Sequence, residues 1–575
     1  MRECRHLTTG TALSDHYYKH CLLKIAVRHA KLKMCYISKL EKGVQEMKKR
    51  TAKKVIAALM CMAAAASFCS CDGKKTIKKD NIDLSKYPIK TDVELTYWCT
   101  LEGNVSAIAS TYSDTEYAKG LEERTGVKIK YLHPAAGQDG EMFNLLVASG
   151  ELPDIMEFDW TSAVAGGPQA AIDNDVIISL NDLMKKYAPN LTKYLKENPE
   201  VDNEVITEQG NYYVFPFIRG DQKLLTSAGF VARADWMDEL SIDPPTTIDA
   251  FENMLIAFRD KKGAKMPLSF VSGSERFLYS LVGMNSEFYL KDGKVAFGPF
   301  EEEFLTGLEI LNRWYKNGLL DKNYMLNDSS MLDSDILNGL TGVTACSGGS
   351  GLGKYLSAKD GEKFDLRALA VPSIKGKPNK FGIAGGSLYD GFASAAITSS
   401  CNYPELAAKY LDYLYGDEGH MYVNFGTEGK TYKMIDGYPT YTDLIMKDKS
   451  GLPVSQAMAK YIRGNMAGPF VQDVRYIEQY YERPRQKEAL DVWSSQIKDS
   501  EDTRLPKTIM TAEESKEYAN IYNNIKKYCD ENIVSFISGE KPLSEYEDFV
   551  KGAKKLKAER ALEIQQQAYD RFIRK

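Results

Sequence analysis

The chain has 575 residues, 43% of them hydrophobic and 11% aromatic, with 74 Lys/Arg against 79 Asp/Glu. That length holds two or three cores at roughly 150 residues each. Residues 1–71 carry 14 Lys/Arg and 4 Asp/Glu, so the remainder has a net charge of −15, which excludes nucleic acid and anionic lipid headgroups as partners of the body.

In chain order, residues 47–54 (MKKRTAKK) form a cationic segment and residues 55–68 an apolar run. The run is too short to cross a ~30 Å bilayer core as a helix. It ends in Ser67-Phe68-Cys69-Ser70-Cys71-Asp72. A small residue before a cysteine at the end of such a run is what a lipoprotein signal peptidase reads. Ser70 suits that position and Phe68, before Cys69, does not, so lipidation is expected on Cys71 with residues 47–70 as the signal peptide. Several acyl chains on one cysteine meet the need for more than one anchor, and the expected location is the outer face of the cell membrane. Residues 1–46 are basic and precede a complete signal peptide. Lys42-Gly43-Val44 can be encoded with a ribosome-binding sequence just before the Met47 codon, so 1–46 is expected to be translated upstream sequence. Residues 71–89, polar and Lys-rich, read as a tether.

The folded part opens with alternating units. Strands are expected at 93–98, 127–131 and 153–158, with helices at 115–124 and 141–149 that stop at Gly126 and Gly150. This β-α-β-α-β order predicts an α/β fold with a parallel sheet and right-handed crossovers. Ligands of such sheets sit outside the C-terminal strand ends, which places residues 98–104, 133–138 and 159–160 around one mouth. Further on, Asp235 reads as an N-cap, and helices are expected at 248–258 and 301–317. Residues 347–353 (SGGSGLG) lack the Gly-Lys-Ser/Thr of a phosphate loop and read as a flexible or closely approached backbone. A small-residue strand follows Gly385-Gly386, a helix starts at Pro404, and residues 557–574 form a charged amphipathic helix. Cys99, Cys346, Cys401 and Cys529 lack metal or CxxC spacing and could form two disulfides or none.

The pieces Leu95-Thr96-Tyr97-Trp98, Ala148-Ser149-Gly150-Glu151-Leu152-Pro153-Asp154-Ile155, Arg233-Ala234-Asp235-Trp236-Met237-Asp238, Asn424-Phe425-Gly426-Thr427-Glu428-Gly429 and Phe536-Ile537-Ser538-Gly539-Glu540-Lys541-Pro542 form an ordered series along the chain. In them the sequence resembles family 1 of the extracellular solute-binding proteins of ABC importers, in particular the large LplA-like and aldouronate-type carbohydrate-binding lipoproteins. The resemblance covers nearly all of residues 92–572. It implies a bilobal type II periplasmic-binding-protein-like fold, its two discontinuous α/β lobes hinged around a carbohydrate. It also implies a membrane permease and a separate ATPase as partners, and a monomer. By that resemblance lobe one is 90–228 plus 392–445, and lobe two 229–391 plus 446–575. Gly385-Gly386, rather than Phe215-Pro216-Phe217, has the φ freedom of a moving crossing.

A sugar site needs aromatic platforms and planar polar groups. Trp98 ends the first strand and points into the mouth or the core, with Asn104 close behind it. Asp159 and Trp160 end the third strand, where an acceptor and a platform stand together. Arg219, after the first crossing, can fork to hydroxyls or a carboxylate or form a structural ion pair. Tyr389 and Asp390 lie at the hinge, and Trp236 starts a helix that serves core or cleft. The stretch with Arg475-Tyr476 and Tyr480-Tyr481 either lines the cleft or covers a helix. After the signal peptide only His133 and His420 remain, and no HExxH, GxSxG or metal-spaced cluster exists. A binding protein without catalytic residues, metal or cofactor is therefore expected. A peptide-binding receptor is the alternative, and a glycoside hydrolase, which needs only two carboxylates, is a more remote one.

Overall fold

The computed structural model describes residues 82–381, 387–389 and 391–574. The signal peptide, Cys71 and the tether as far as residue 81 lie outside the described residues, as do Gly385-Gly386 and Asp390. Residues Ile82–Lys575 form one compact unit, which contains two sheets of four strands each.

Strand β1 (Glu94–Trp98) runs parallel to β2 (Lys128–Leu132), with Tyr97 opposite Tyr131, and to β3 (Ile155–Phe158), with Trp98 opposite Met156. The helix between β1 and β2, Glu116–Thr125, starts where the Thr115 hydroxyl accepts the Ala118 N–H at 3.1 Å. It stops at Gly126, whose φ is 72° and where a Cβ would stand 2.0 Å from the Ile89 carbonyl oxygen. Both the left-handed turn and the close approach require glycine there. The next helix, Asp139–Ser149, ends on Gly150 in the same way. Helices cover both faces of the sheet, so Tyr97 and Trp98 are both buried although they point to opposite sides.

The chain then crosses through β4 (Ile218–Arg219) into a second sheet. Its strands are β5 (Ala228–Arg233), β6 (Met266–Leu268), β9 (Thr341–Ser347) and β10 (Leu366–Leu369), in the order β10-β5-β9-β6. Between β6 and β9 a hairpin pairs β7 (Phe288–Lys291) with β8 (Lys294–Phe297). Its turn residues, Asp292 and Gly293, both have positive φ, as a tight hairpin turn demands. The helices Ile248–Lys262 and Glu302–Lys316 bury their apolar faces on this second core. The glycine-rich stretch is closely approached: a Cβ on Gly348 would meet the Tyr481 hydroxyl oxygen at 2.4 Å.

Strand β11 (Ser394–Ile397) returns to the first sheet antiparallel to β3, giving the order β11-β3-β1-β2. The helix Pro404–Tyr413 packs beneath it, and β12 (Tyr432–Ile435) pairs with β13 (Tyr438–Tyr441) in a hairpin. Ala459, Met466, Ala467 and Phe470 belong to the first core. These residues, beyond the exchange expected at 445, thus pack on the first core, and the Arg463 side chain is held there by Glu157 of β3. The chain leaves through β14 (Val471–Gln472), which pairs parallel with β4, while the Arg219 N–H donates to the Leu388 carbonyl. Three crossings thus run side by side. The helix Pro484–Ser494 docks on the second lobe, where Trp493 Nε1 donates to the Phe230 carbonyl. The long helix Ala512–Ser538 opens with a Thr511/Glu514 capping box, and Ala558–Phe572 closes the second core. Cys99, Cys346, Cys401 and Cys529 are all free thiols.

A candidate ligand site where the lobes meet

On the first lobe the mouth is formed by the residues that follow β1 and β3. Asp159 is the best-held group there. Its Oδ1 accepts the Thr161 N–H at 3.0 Å and the Thr161 hydroxyl, and its Oδ2 accepts the Ser162 hydroxyl at 2.8 Å and Lys507 Nζ at 3.0 Å. Burial pushes the carboxyl pKa up, but the Thr161, Lys507 and Ser162 donors outweigh it and hold it below its ordinary value. Gly391, on the second crossing, passes so close that a Cβ would lie 2.8 Å from Asp159 Oδ1, at a φ of 84°. Asn104 stands half-buried on the short helix Gly103–Ser106. Nearby, the Thr100 hydroxyl donates to Asp139 Oδ1 at 2.7 Å. Arg219 lies at the hinge, donating to Gln472 Oε1 at 3.0 Å with its guanidinium 5.0 Å from the Phe217 ring centre.

The second lobe supplies a cavity of about 310 Å³, a size at the lower end of small-ligand sites. Arg276 and Phe277 reach it from the helix after β6, Tyr289 from β7, Lys380 and Phe381 from the approach to the second crossing, and Arg504 from the segment before Lys507. Phe381 meets Tyr289 edge-on at 4.9 Å. The Thr503 hydroxyl donates to the Lys380 carbonyl at 2.9 Å, fastening two of these segments together. Leu505 also lines the cavity, and two residues later Lys507 reaches Asp159 on the other lobe. A second bridge is Arg571, which donates to Glu208 on the first lobe and to Glu514 on the second.

Four of the aromatic candidates are structural. Trp98 is not at the mouth: it packs between Phe143 and Phe158 in the first core. Trp160 is fully buried, its Nε1 donating to the Met156 carbonyl. Tyr389 is fully buried with its hydroxyl 3.2 Å from that of Tyr213. Trp236 packs edge-on against Phe258 beneath the Arg233 guanidinium, at the end of β5 remote from the hinge. Trp98, Trp160 and Trp236 each end or follow a strand covered by helices, so the strand end is still interior, and Tyr389 is buried on the way into β11. Asp159, Asn104 and Arg219 keep surface at the junction, while Arg475 is paired with Asp473, and Tyr476 and Tyr481 are buried in a third apolar cluster. His133 is structural as well: its Nδ1 pairs with the Cys99 carbonyl at 2.8 Å, and burial lowers its pKa.

Sequence reasoning missed the cavity residues. The signal present was a cation followed by an aromatic, Arg276-Phe277 and Lys380-Phe381, but the segments lie more than a hundred residues apart.

The sequence profile described as "Bacterial extracellular solute-binding protein" matches residues 107–421. The chain is 26% identical over 564 residues to the fructooligosaccharide ABC transporter substrate-binding protein FusA of Streptococcus pneumoniae serotype 4, covering 92% of this chain and 99% of that protein. It is 26% identical over 364 residues to lipoprotein LipO of Bacillus subtilis, covering 60% and 68%. In fold it is similar to the solved structure of the HMO-binding, ABC-transporter-associated solute-binding protein of Bifidobacterium longum infantis, at a TM-score of 0.69 and 18% identity over 83% of this chain and 99% of that one. With two α/β lobes, three adjacent crossings and a profile match spanning more than half its length, the chain belongs to the bacterial extracellular solute-binding protein family.

Proposed function

We propose that this protein captures an oligosaccharide between its lobes and delivers it to an ABC permease served by a separate ATPase, from a lipid anchor on Cys71. The observation that carries the reading is the cavity of about 310 Å³ with Phe277, Tyr289 and Phe381 in its wall, whose lining residue Leu505 is followed two residues later by Lys507, the bridge to Asp159. Aromatic faces suit sugar C–H surfaces, and the planar polar groups at the junction suit hydroxyls. The names of its relatives FusA and the Bifidobacterium protein support a sugar, and that of LipO supports the lipid. Ligand favours the closed arrangement only by its extra affinity for it, and the closed shape is what the permease receives. Lobe one in this reading is 90–217 with 392–470, and lobe two the rest.

Residues 72–575 titrated with oligosaccharides are expected to show saturable calorimetric binding, with the sugar recovered intact. Time-dependent cleavage products would overturn a pure binding role, and binding to peptides alone would overturn the sugar. Acyl labelling of the cell-associated protein is expected to vanish in Cys71→Ala; retained label would place the anchor elsewhere.

A further inference from the structure

Residues 504–511 belong to the second lobe at both ends and touch the first lobe in the middle. Before them, the Thr503 hydroxyl donates to the Lys380 carbonyl at 2.9 Å. After them, the helix Ala512–Ser538 packs Ile521 and Ile525 into the second core. Arg504 and Leu505 line the cavity. Lys507 Nζ then donates to Asp159 Oδ2 at 3.0 Å and to the Thr161 hydroxyl at 3.2 Å, both on the first lobe. The half-buried Ile509 is seated against Gly167, where a Cβ would stand 3.0 Å from its Cγ2, and the Ala512 Cβ is as close to Gly166. The two glycines have φ of 67° and 87°, so the seat is built from positions that disfavour a side chain. Arg571 knots the far end, donating to the Ile509 carbonyl at 3.5 Å, to Glu208 of the first lobe at 2.8 Å and to Glu514 at 2.9 Å.

No helix or strand covers residues 504–511, so side chains rather than a hydrogen-bonded ladder hold the segment in place. An exposed ion pair such as Lys507 with Asp159 is weak alone. Segments held this way lie at the low-stability end of a structure and are the ones that move. Pro506 limits the freedom that is lost on seating. Part of the second-lobe cavity wall is therefore carried by a strap whose seat is on the other lobe. We propose that residues 504–511 are a clasp that completes the cavity only when seated on the first lobe, with Ile509 and Lys507 as positioning residues that act through Arg504 and Leu505. A ligand in the cavity then favours the seated, closed arrangement, because it finds its full set of contacts only there. The clasp deepens the capture reading above and rests on it only for what fills the cavity.

The test compares residues 72–575 carrying Ile509→Ser, or the conservative Ile509→Leu, with wild type. Native trypsin cleavage after Arg504 is expected to run about tenfold faster in Ile509→Ser, the change in open population that follows from one lost apolar contact. Ile509→Leu is expected to match wild type. Amide exchange in Glu275–Leu281 and Phe288–Lys291, on the second-lobe wall, is expected to quicken in Ile509→Ser as well, although the seat of Ile509 is on the first lobe. Oligosaccharides that bind wild type on an array of neutral and acidic glycans are expected to bind Ile509→Ser about tenfold more weakly. Unchanged cleavage in Ile509→Ser would overturn the clasp. Faster cleavage with unchanged exchange in the cavity wall would make the strap a surface fastening and overturn the coupling, as would a sugar affinity indifferent to Ile509→Ser. A wild type that binds no glycan would overturn the capture reading, with the cleavage and exchange comparison still deciding the clasp.

Discussion

The two walls that meet at the junction use charge in opposite ways. On the first lobe the charges nearest the junction are held: Asp159 accepts from four donors, one of them Lys507 of the other lobe, and Glu157 and Arg463 form an ion pair at 2.7 Å with side chains 6% and 4% exposed. On the second lobe Arg276 and Lys380 stand open on a cavity. The difference separates charges that specify the fold from charges available to a ligand, and substitutions can break it from either side.

The largest effect is expected at Arg463. Its loss in Arg463→Ala leaves Glu157 buried without a cation, with only the Tyr97 hydroxyl donating at 2.7 Å. Removing one partner of such a pair costs about 3–5 kcal/mol, read as a lower urea midpoint; a loss under 1 kcal/mol would mean that water replaces the guanidinium. Next comes Asp412, fully buried, whose carboxylate accepts the Asn190 and Leu191 N–H groups. Burial pushes its pKa up to about 6 despite those donors. With the folded value above the unfolded one, ionisation opposes folding, so the cost is absent below about pH 4 and grows as pH rises to about 6. Wild type is therefore expected to lose on the order of 2 kcal/mol relative to Asp412→Asn between pH 4 and pH 7. A pH-independent difference in denaturation would contradict this.

Lys507→Ala removes a half-exposed bridge and is expected to cost under about 1 kcal/mol. Its clearer readout is small-angle scattering of the ligand-free protein, where a larger radius is expected; an unchanged radius would show that the pair does not hold the lobes together. The smallest effect belongs to Arg276→Gln, expected to leave unfolding within about 0.5 kcal/mol of wild type, since among the described residues it makes no ion pair to strand. A large destabilisation there would erase the contrast between the walls.

The fold was more legible than the site, for a physical reason. Gly126 and Gly150 end helices, and the strands beside them are short segments that alternate, as Lys128–Leu132 does, or run apolar, so the β-α-β-α-β order could be read locally. Trp98 and Trp160 occupy strand ends where the rule for open α/β sheets puts ligands, yet helices packed on both faces keep those ends interior. Burial of that kind depends on elements distant in sequence. The cavity is similarly nonlocal: Arg276, Phe381 and Arg504 come together only after the second sheet, the second crossing and the segment leading to Lys507 have all been placed. The packing of residues 459–470 on the first core was hidden because nothing local to Arg463 reveals that its partner is Glu157.

That partnership has a consequence for the order in which the molecule is made. Glu157 and Arg463 are 306 residues apart, and the whole second sheet is synthesised between them. The first lobe therefore cannot complete its interior as it emerges: its edge strand β11 and its only described cation for that buried carboxylate arrive after most of the other lobe. Nascent chains ordinarily fold domain by domain from the N-terminus, and this one is obliged to wait. A first half that cannot finish on its own stays incomplete until residue 463 has been made.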